Sequence, residues 1–137
     1  MRKLAIVLSL SVMATVCVAR DLGQWDDDPA LAAYIKRWFA TLMQPDNPNI
    51  SCCGEADAYW ADSFEASPDG EYIVTITDDR PNVGALAYRL PRAVGTKITV
   101  PNHKIKWDKG NPTGHGVIFL TNGEVPAVFC YVPNGGV

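Results

Sequence analysis

The sequence predicts an α+β domain, with one N-terminal amphipathic helix packed on a curved antiparallel sheet or small barrel of about five to six short strands. Three observations support this. One stretch near the start of the chain carries apolar residues at helical spacing, and short runs of β-branched and aromatic residues, punctuated by Gly, Pro and Asn, follow it. The third is length, since roughly 120 residues beyond the leader bury one core and no more.

The leader has a basic start at Arg2 and Lys3, an apolar run from Leu4 to Val16, and small residues around Cys17-Val18-Ala19. This is the pattern of a secretory signal peptide over residues 1–19, cut after Ala19, leaving a single secreted domain over residues 20–137. The run is too short to span a bilayer and no second one follows. The expected location is periplasmic or secreted, with no transmembrane segment after cleavage. Val16 does not suit a lipoprotein cut ahead of Cys17, so that cysteine is expected to leave with the leader.

Asp26-Asp27-Asp28-Pro29 is a helix start, because an Asp side chain caps free amides and Pro fits the first turn. Leu31, Tyr34, Ile35, Trp38, Phe39, Leu42 and Met43 then mark one helical face, ending before Pro45. That stripe is read as the side covering the core. Strands are expected over Tyr59 to Glu65 and Glu71 to Thr77, joined by a turn at Ser67-Pro68-Asp69-Gly70. Others are Leu86 to Leu90, Lys97 to Val100, Val117 to Thr121 and Val125 to Val132. Asn122-Gly123 signals a tight turn, and Pro126 argues that the last strand starts late or lies at an edge.

Three cysteines remain in the mature chain. Adjacent Cα atoms lie about 3.8 Å apart, below the roughly 4.4 to 6.8 Å that a disulfide prefers, so a Cys52–Cys53 bond is disfavoured. One of the pair is expected to bond Cys130, with Cys53–Cys130 the assignment and Cys52 the alternative. The closed loop holds roughly 78 residues, a constraint on the order of 4 kcal/mol. The leftover thiol is read first as inert. A soft-metal site with His103 or His115 has suitable ligand types but no recognised spacing, so no metal and no cofactor is predicted.

Charge is divided along the chain. Residues 20–79 hold 3 basic and 13 acidic side chains, and residues 80–137 hold 7 and 2. The halves are expected to neutralise each other in part on folding. The alternative is a basic face for an anionic cell-envelope polymer or a protein partner, with Lys104, Lys106, Trp107 and Lys109 as the contact surface. An acidic exported chain without an aromatic-rich basic motif points away from nucleic acid. There is no Asp-x-Asp-x-Asp-Gly calcium loop, Gly-rich phosphate loop, Gly-x-Ser-x-Gly elbow or Cys-x-x-Cys pair. The resulting expectation is a non-enzymatic binding or structural module.

Two resemblances add to this. Gly114-His115-Gly116-Val117-Ile118-Phe119-Leu120-Thr121-Asn122-Gly123 is similar to the His-bearing strand of papain-like cell-wall amidases of the NlpC/P60 type. That likeness implies an alternative function, a Cys-His peptidoglycan amidase using Cys53 and His115. It stops after ten residues, and Ser51-Cys52-Cys53-Gly54 lacks the Asp that precedes the family's nucleophile. The second runs over most of the mature chain. Ser51-Cys52-Cys53-Gly54-Glu55-Ala56-Asp57-Ala58-Tyr59, Ile76-Thr77-Asp78-Asp79-Arg80-Pro81, Val100-Pro101-Asn102-His103-Lys104, Asn111-Pro112-Thr113-Gly114-His115-Gly116 and Cys130-Tyr131-Val132-Pro133-Asn134-Gly135-Gly136 together resemble a group of small exported bacterial proteins of unknown function. That group implies a compartment and a fold, and it directs attention to Val100–Gly116.

Overall fold

The computed structural model describes residues 28–135, so the leader expected over residues 1–19 lies outside the described residues. Helix α1 spans Pro29–Thr41. Six strands follow: β1 Asp57–Trp60, β2 Ser63–Ala66, β3 Tyr72–Thr75, β4 Lys97–Val100, β5 Val117–Leu120 and β6 Val128–Val132. Single 3-10 turns occur at Gly84–Leu86 and Asn102–Lys104.

The helix begins where the acidic run predicts. The Asp28 carboxylate accepts from the amides of Ala30 and Leu31, satisfying two donors that no helical carbonyl can reach, and Pro29 occupies the first turn. Ile35, Trp38, Phe39 and Leu42 turn inward, whereas Leu31 and Tyr34 from the same apolar set stay exposed. The buried face is thus narrower than the stripe in the sequence.

The described strands form two antiparallel sheets of three strands each, ordered β1-β5-β6 and β2-β3-β4, and neither closes into a barrel. The expected single sheet splits because Tyr59 to Glu65 is not one strand. It bends at Ala61-Asp62, where the Ala61 amide donates to the Gly116 carbonyl and the Asp62 amide donates to the Thr77 hydroxyl. Up to this corner the chain pairs with β5, and beyond it with β3.

Sheet β1-β5-β6 has apolar neighbours on both faces. Ala58, Val117, Phe119, Cys130 and Val132 pack with Ile35, Trp38, Phe39 and Leu42 of the helix side. Tyr59, Ile118, Leu120 and Tyr131 pack with Val74 and Val100 of the second sheet. All four residues of β5 are therefore buried, which explains why its sequence is a continuous apolar run rather than an alternation. The result is three layers: helix, sheet, sheet.

Other expectations are corrected. Leu86 to Leu90 is not a strand but a 3-10 turn followed by turns, in which the amides of Leu86, Ala87 and Arg89 donate to the carbonyls of Val83, Gly84 and Leu86. Asn122-Gly123 does not make a two-residue hairpin. The β5–β6 connection is longer and closes through Thr121, whose amide donates to the Ala127 carbonyl and whose hydroxyl accepts from the Ala127 amide. Strand β6 starts at Val128, past Pro126, as that proline predicts.

Cys130 bonds Cys52, not Cys53, with Cα atoms 5.4 Å apart. Cys53 is itself disulfide-bonded, so no described cysteine is a free thiol and the expected leftover thiol is not found. The Ser51 hydroxyl accepts from the amide of Cys53 and lies 3.4 Å from that of Gly54, tightening the turn that carries both cysteines into the core.

The acidic and basic halves partly neutralise each other across the fold. Lys97 meets Glu65, Lys104 meets Asp46, and Arg80 and Arg89 both meet Asp78. Each pair joins a carboxylate of the first half to a cation of the second.

Candidate functional site

Two neighbouring regions carry the side chains that sequence reasoning singled out. The first surrounds Trp107. Ile105 bridges to Tyr131 and the Lys106 amide donates to the Tyr131 carbonyl, so this segment runs along the free side of β6 and delivers Trp107 to the surface. Trp107 is 65% exposed. Its ring nevertheless meets Phe64 and Tyr72 edge-on, at centroid distances of 6.3 and 6.5 Å. Beside it lies a cleft of about 110 Å³, lined by Trp107, Asp108, Lys109, Pro133, Asn134 and Gly135.

The four expected contact residues do not stand alike. Lys109 is exposed on the cleft, Lys106 is half-buried, and Trp107 is the platform between them. Lys104 is turned back on the protein, with Nζ 2.8 Å from Gln44 Oε1 and 2.9 Å from Asp46 Oδ2. The hydrogen bond from Lys104 lowers the pKa of Asp46 below the ordinary carboxylate value. Asp108 is also engaged, accepting from Trp38 Nε1 at 2.9 Å and from the Gly110 amide.

The second region is the corner between the sheets. His115 Nδ1 lies 3.0 Å from Asp62 Oδ2, and the imidazole stacks on Trp60 at 3.9 Å with planes 9° apart. Asp62 Oδ1 accepts from the Gly116 amide at 2.8 Å, and Oδ2 also accepts from the Thr77 hydroxyl at 2.9 Å. The buried Tyr131 hydroxyl donates to the Ala61 carbonyl at 2.9 Å. Burial first and the Asp62 charge second push its pKa well above the ordinary phenol value. Asn134 Nδ2 donates to the Gly114 carbonyl, tying the rim of the Trp107 cleft to the loop that carries His115.

Trp60 also carries the Arg80 guanidinium, 4.0 Å from the ring centroid. Arg80 and the buried Arg89 converge on Asp78, each at 2.6 Å. Burial alone would raise the Asp78 carboxyl, but hydrogen bonds from Arg80 and Arg89 outweigh it and hold the pKa at about 2. Arg89 further reaches the Ala58 carbonyl and Asn82. This network anchors the long β3–β4 connection to β1. A surface hollow of about 410 Å³ between Tyr88–Pro91 and Asn122–Glu124 borders Arg89, whose guanidinium is committed inward to Asp78.

The cysteines stand apart from this chemistry. Cys53 is buried and disulfide-bonded, so it presents no thiolate to His115. His103 lies on the exposed turn Asn102–Lys104 and makes no ring hydrogen bond among the described residues. No group of three His, Cys, Asp or Glu side chains able to hold a metal occurs among the described residues. Sequence reasoning missed Asp62 as the partner of His115. Their separation of 53 positions leaves no local signal. No protein-family model matches this chain, and comparison with curated proteins and with solved structures finds no match.

Proposed function

We propose that the protein is an exported binding module of the cell envelope, and that it grips an anionic carbohydrate polymer at the cleft beside Trp107. The observation that carries this reading is the setting of Trp107. A ring 65% exposed is nonetheless held edge-on by Phe64 and Tyr72, so its outer face is fixed before any ligand arrives. A pre-fixed aromatic loses little conformational entropy on binding and offers a flat apolar face to a sugar ring. Lys109 on the cleft and Lys106 beside Trp107 supply positive charge, which suits carboxylated or phosphorylated sugars.

Calorimetric titration with polygalacturonate, against neutral dextran, tests this reading. Saturable binding of the anionic polymer, weakening with salt, is expected, and Trp107→Ala should reduce affinity about tenfold, as loss of an aromatic anchor does. Lys109→Glu should weaken binding further at low salt. Equal binding of wild type and Trp107→Ala, or binding that survives high salt and charge reversal at Lys106 and Lys109, would overturn it.

A further inference from the structure

The loop over residues 111–116 fixes His115 more closely than a surface imidazole requires. The His115 amide donates to Thr113 Oγ1, and its carbonyl accepts from Asn111 Nδ2 at 2.8 Å and from Thr113 Oγ1 at 2.9 Å. The ring itself is clamped between a hydrogen bond to Asp62 and the flat contact with Trp60. Asp62 cannot swing away without giving up the Gly116 amide and the Thr77 hydroxyl. A carboxylate only accepts hydrogen bonds, so the proton lies on Nδ1 and the Nε2 lone pair is left for a further partner. None of the described residues bonds Nε2, and the side chain is 34% exposed.

We propose that His115 is a general base, held in position by Asp62, that activates water for the hydrolysis of a carboxylic ester. Nε2 takes a proton from water while the water oxygen bonds to the acyl carbon. The acyl–oxygen bond then breaks, and the proton on Nε2 passes to the departing alkoxide, giving an acid and an alcohol. Asp62 is a positioning residue that accepts from Nδ1 throughout. Water is the attacking group because Cys52, Cys53 and Cys130 are buried in the core on the helix side, and the Thr77 and Thr113 hydroxyls are bound within the network. An ester fits better than an amide because a positioned base contributes on the order of 10²–10⁴ in rate, and an alkoxide leaves far more readily than an amine anion. This inference does not rest on the Trp107 cleft and stands whether or not that cleft binds a polymer.

The test uses the full chain with its disulfides intact, p-nitrophenyl acetate as substrate, and His103 as the internal comparison. At neutral pH, His115→Gln should lower the protein-dependent rate about tenfold or more, while His103→Gln changes it by less than about twofold. Asp62→Asn should lower the rate and raise the Nε2–H tautomer of His115 in 15N spectra, a readout that general loosening of the corner does not produce. If Asp62→Asn does not fold, the His115→Gln and His103→Gln pair decides alone. Equal losses from those two variants, or a wild-type His115 found as the Nε2–H tautomer, would overturn the proposal.

Discussion

Replacing Gly116 by Ala drives a methyl carbon into the Ala61 carbonyl oxygen, far inside van der Waals contact, and to 3.0 Å from the Tyr131 hydroxyl. Backbone, not a flexible side-chain end, is the obstacle, so the corner itself must move. Three of that corner's hydrogen bonds involve Ala61 or Gly116: Ala61 amide to Gly116 carbonyl, Tyr131 hydroxyl to Ala61 carbonyl, and Gly116 amide to Asp62. Relief of the clash sacrifices at least one of them, at about 1 kcal/mol, on top of roughly 1–3 kcal/mol for overpacking. Ala restricts the unfolded chain and returns about 0.4–1 kcal/mol. The net expectation is a loss of about 1–3.5 kcal/mol in urea unfolding followed by circular dichroism. Gly123→Ala is the control, since its added carbon meets only the Val125 carbonyl oxygen, at an ordinary 3.6 Å. It should leave stability unchanged or slightly higher. A Gly116→Ala protein within about 0.5 kcal/mol of wild type would refute the account of the corner.

Two further outcomes are expected. Replacing both Cys52 and Cys130 by Ser opens a loop spanning 78 positions and should cost up to about 4 kcal/mol in the same unfolding assay; a loss under about 1 kcal/mol would show that the loop is already closed by packing. Asp78, at about 2 when folded against an ordinary 3.8, contributes on the order of 2 kcal/mol that is fully present above pH 3.8. Its folded-state value is the lower one, so that contribution should fall away as the pH drops from 3.8 through 2. An Asp78→Asn variant, already lacking it, should have a flatter acid limb, and identical limbs would refute the assignment.

Much of the local structure was legible, because local signals carry it. The Asp28 cap, the Pro29 start and the Gly70 turn, where φ is +80°, each rest on residues within one turn of one another. The split of the first strand was not legible. Ala61 and Asp62 are neither Gly nor Pro, so no turn residue marks the point where the pairing partner changes from β5 to β3. The cysteine pairing was open for a similar reason, since the two neighbours differ by a single position in their distance from Cys130 and no local signal separates them. His115 was found from its setting before a strand, but with the wrong partner. The likeness to Cys-His amidases suggested the sulfur of Cys53, whereas the oxygen of Asp62 reaches the ring across the sheet corner. Likewise, Lys104 looks like a surface cation in sequence and becomes an internal tie once Gln44 and Asp46 arrive from the segment after the helix.

The middle strand of the central sheet is the fifth of six in chain order, and its neighbours are the first and the last. Synthesis runs in the opposite sense to what such an arrangement needs. While the ribosome is still making Val117–Val132, the helix has nothing to lie on, Asp57–Trp60 has no strand beside it, and Cys52 waits for a partner not yet made. Long-range pairing of this kind delays formation of this sheet until the far end arrives. The β2-β3-β4 sheet is complete in the chain by Val100, whereas the β1-β5-β6 sheet and the Cys52–Cys130 bond need residues that come last.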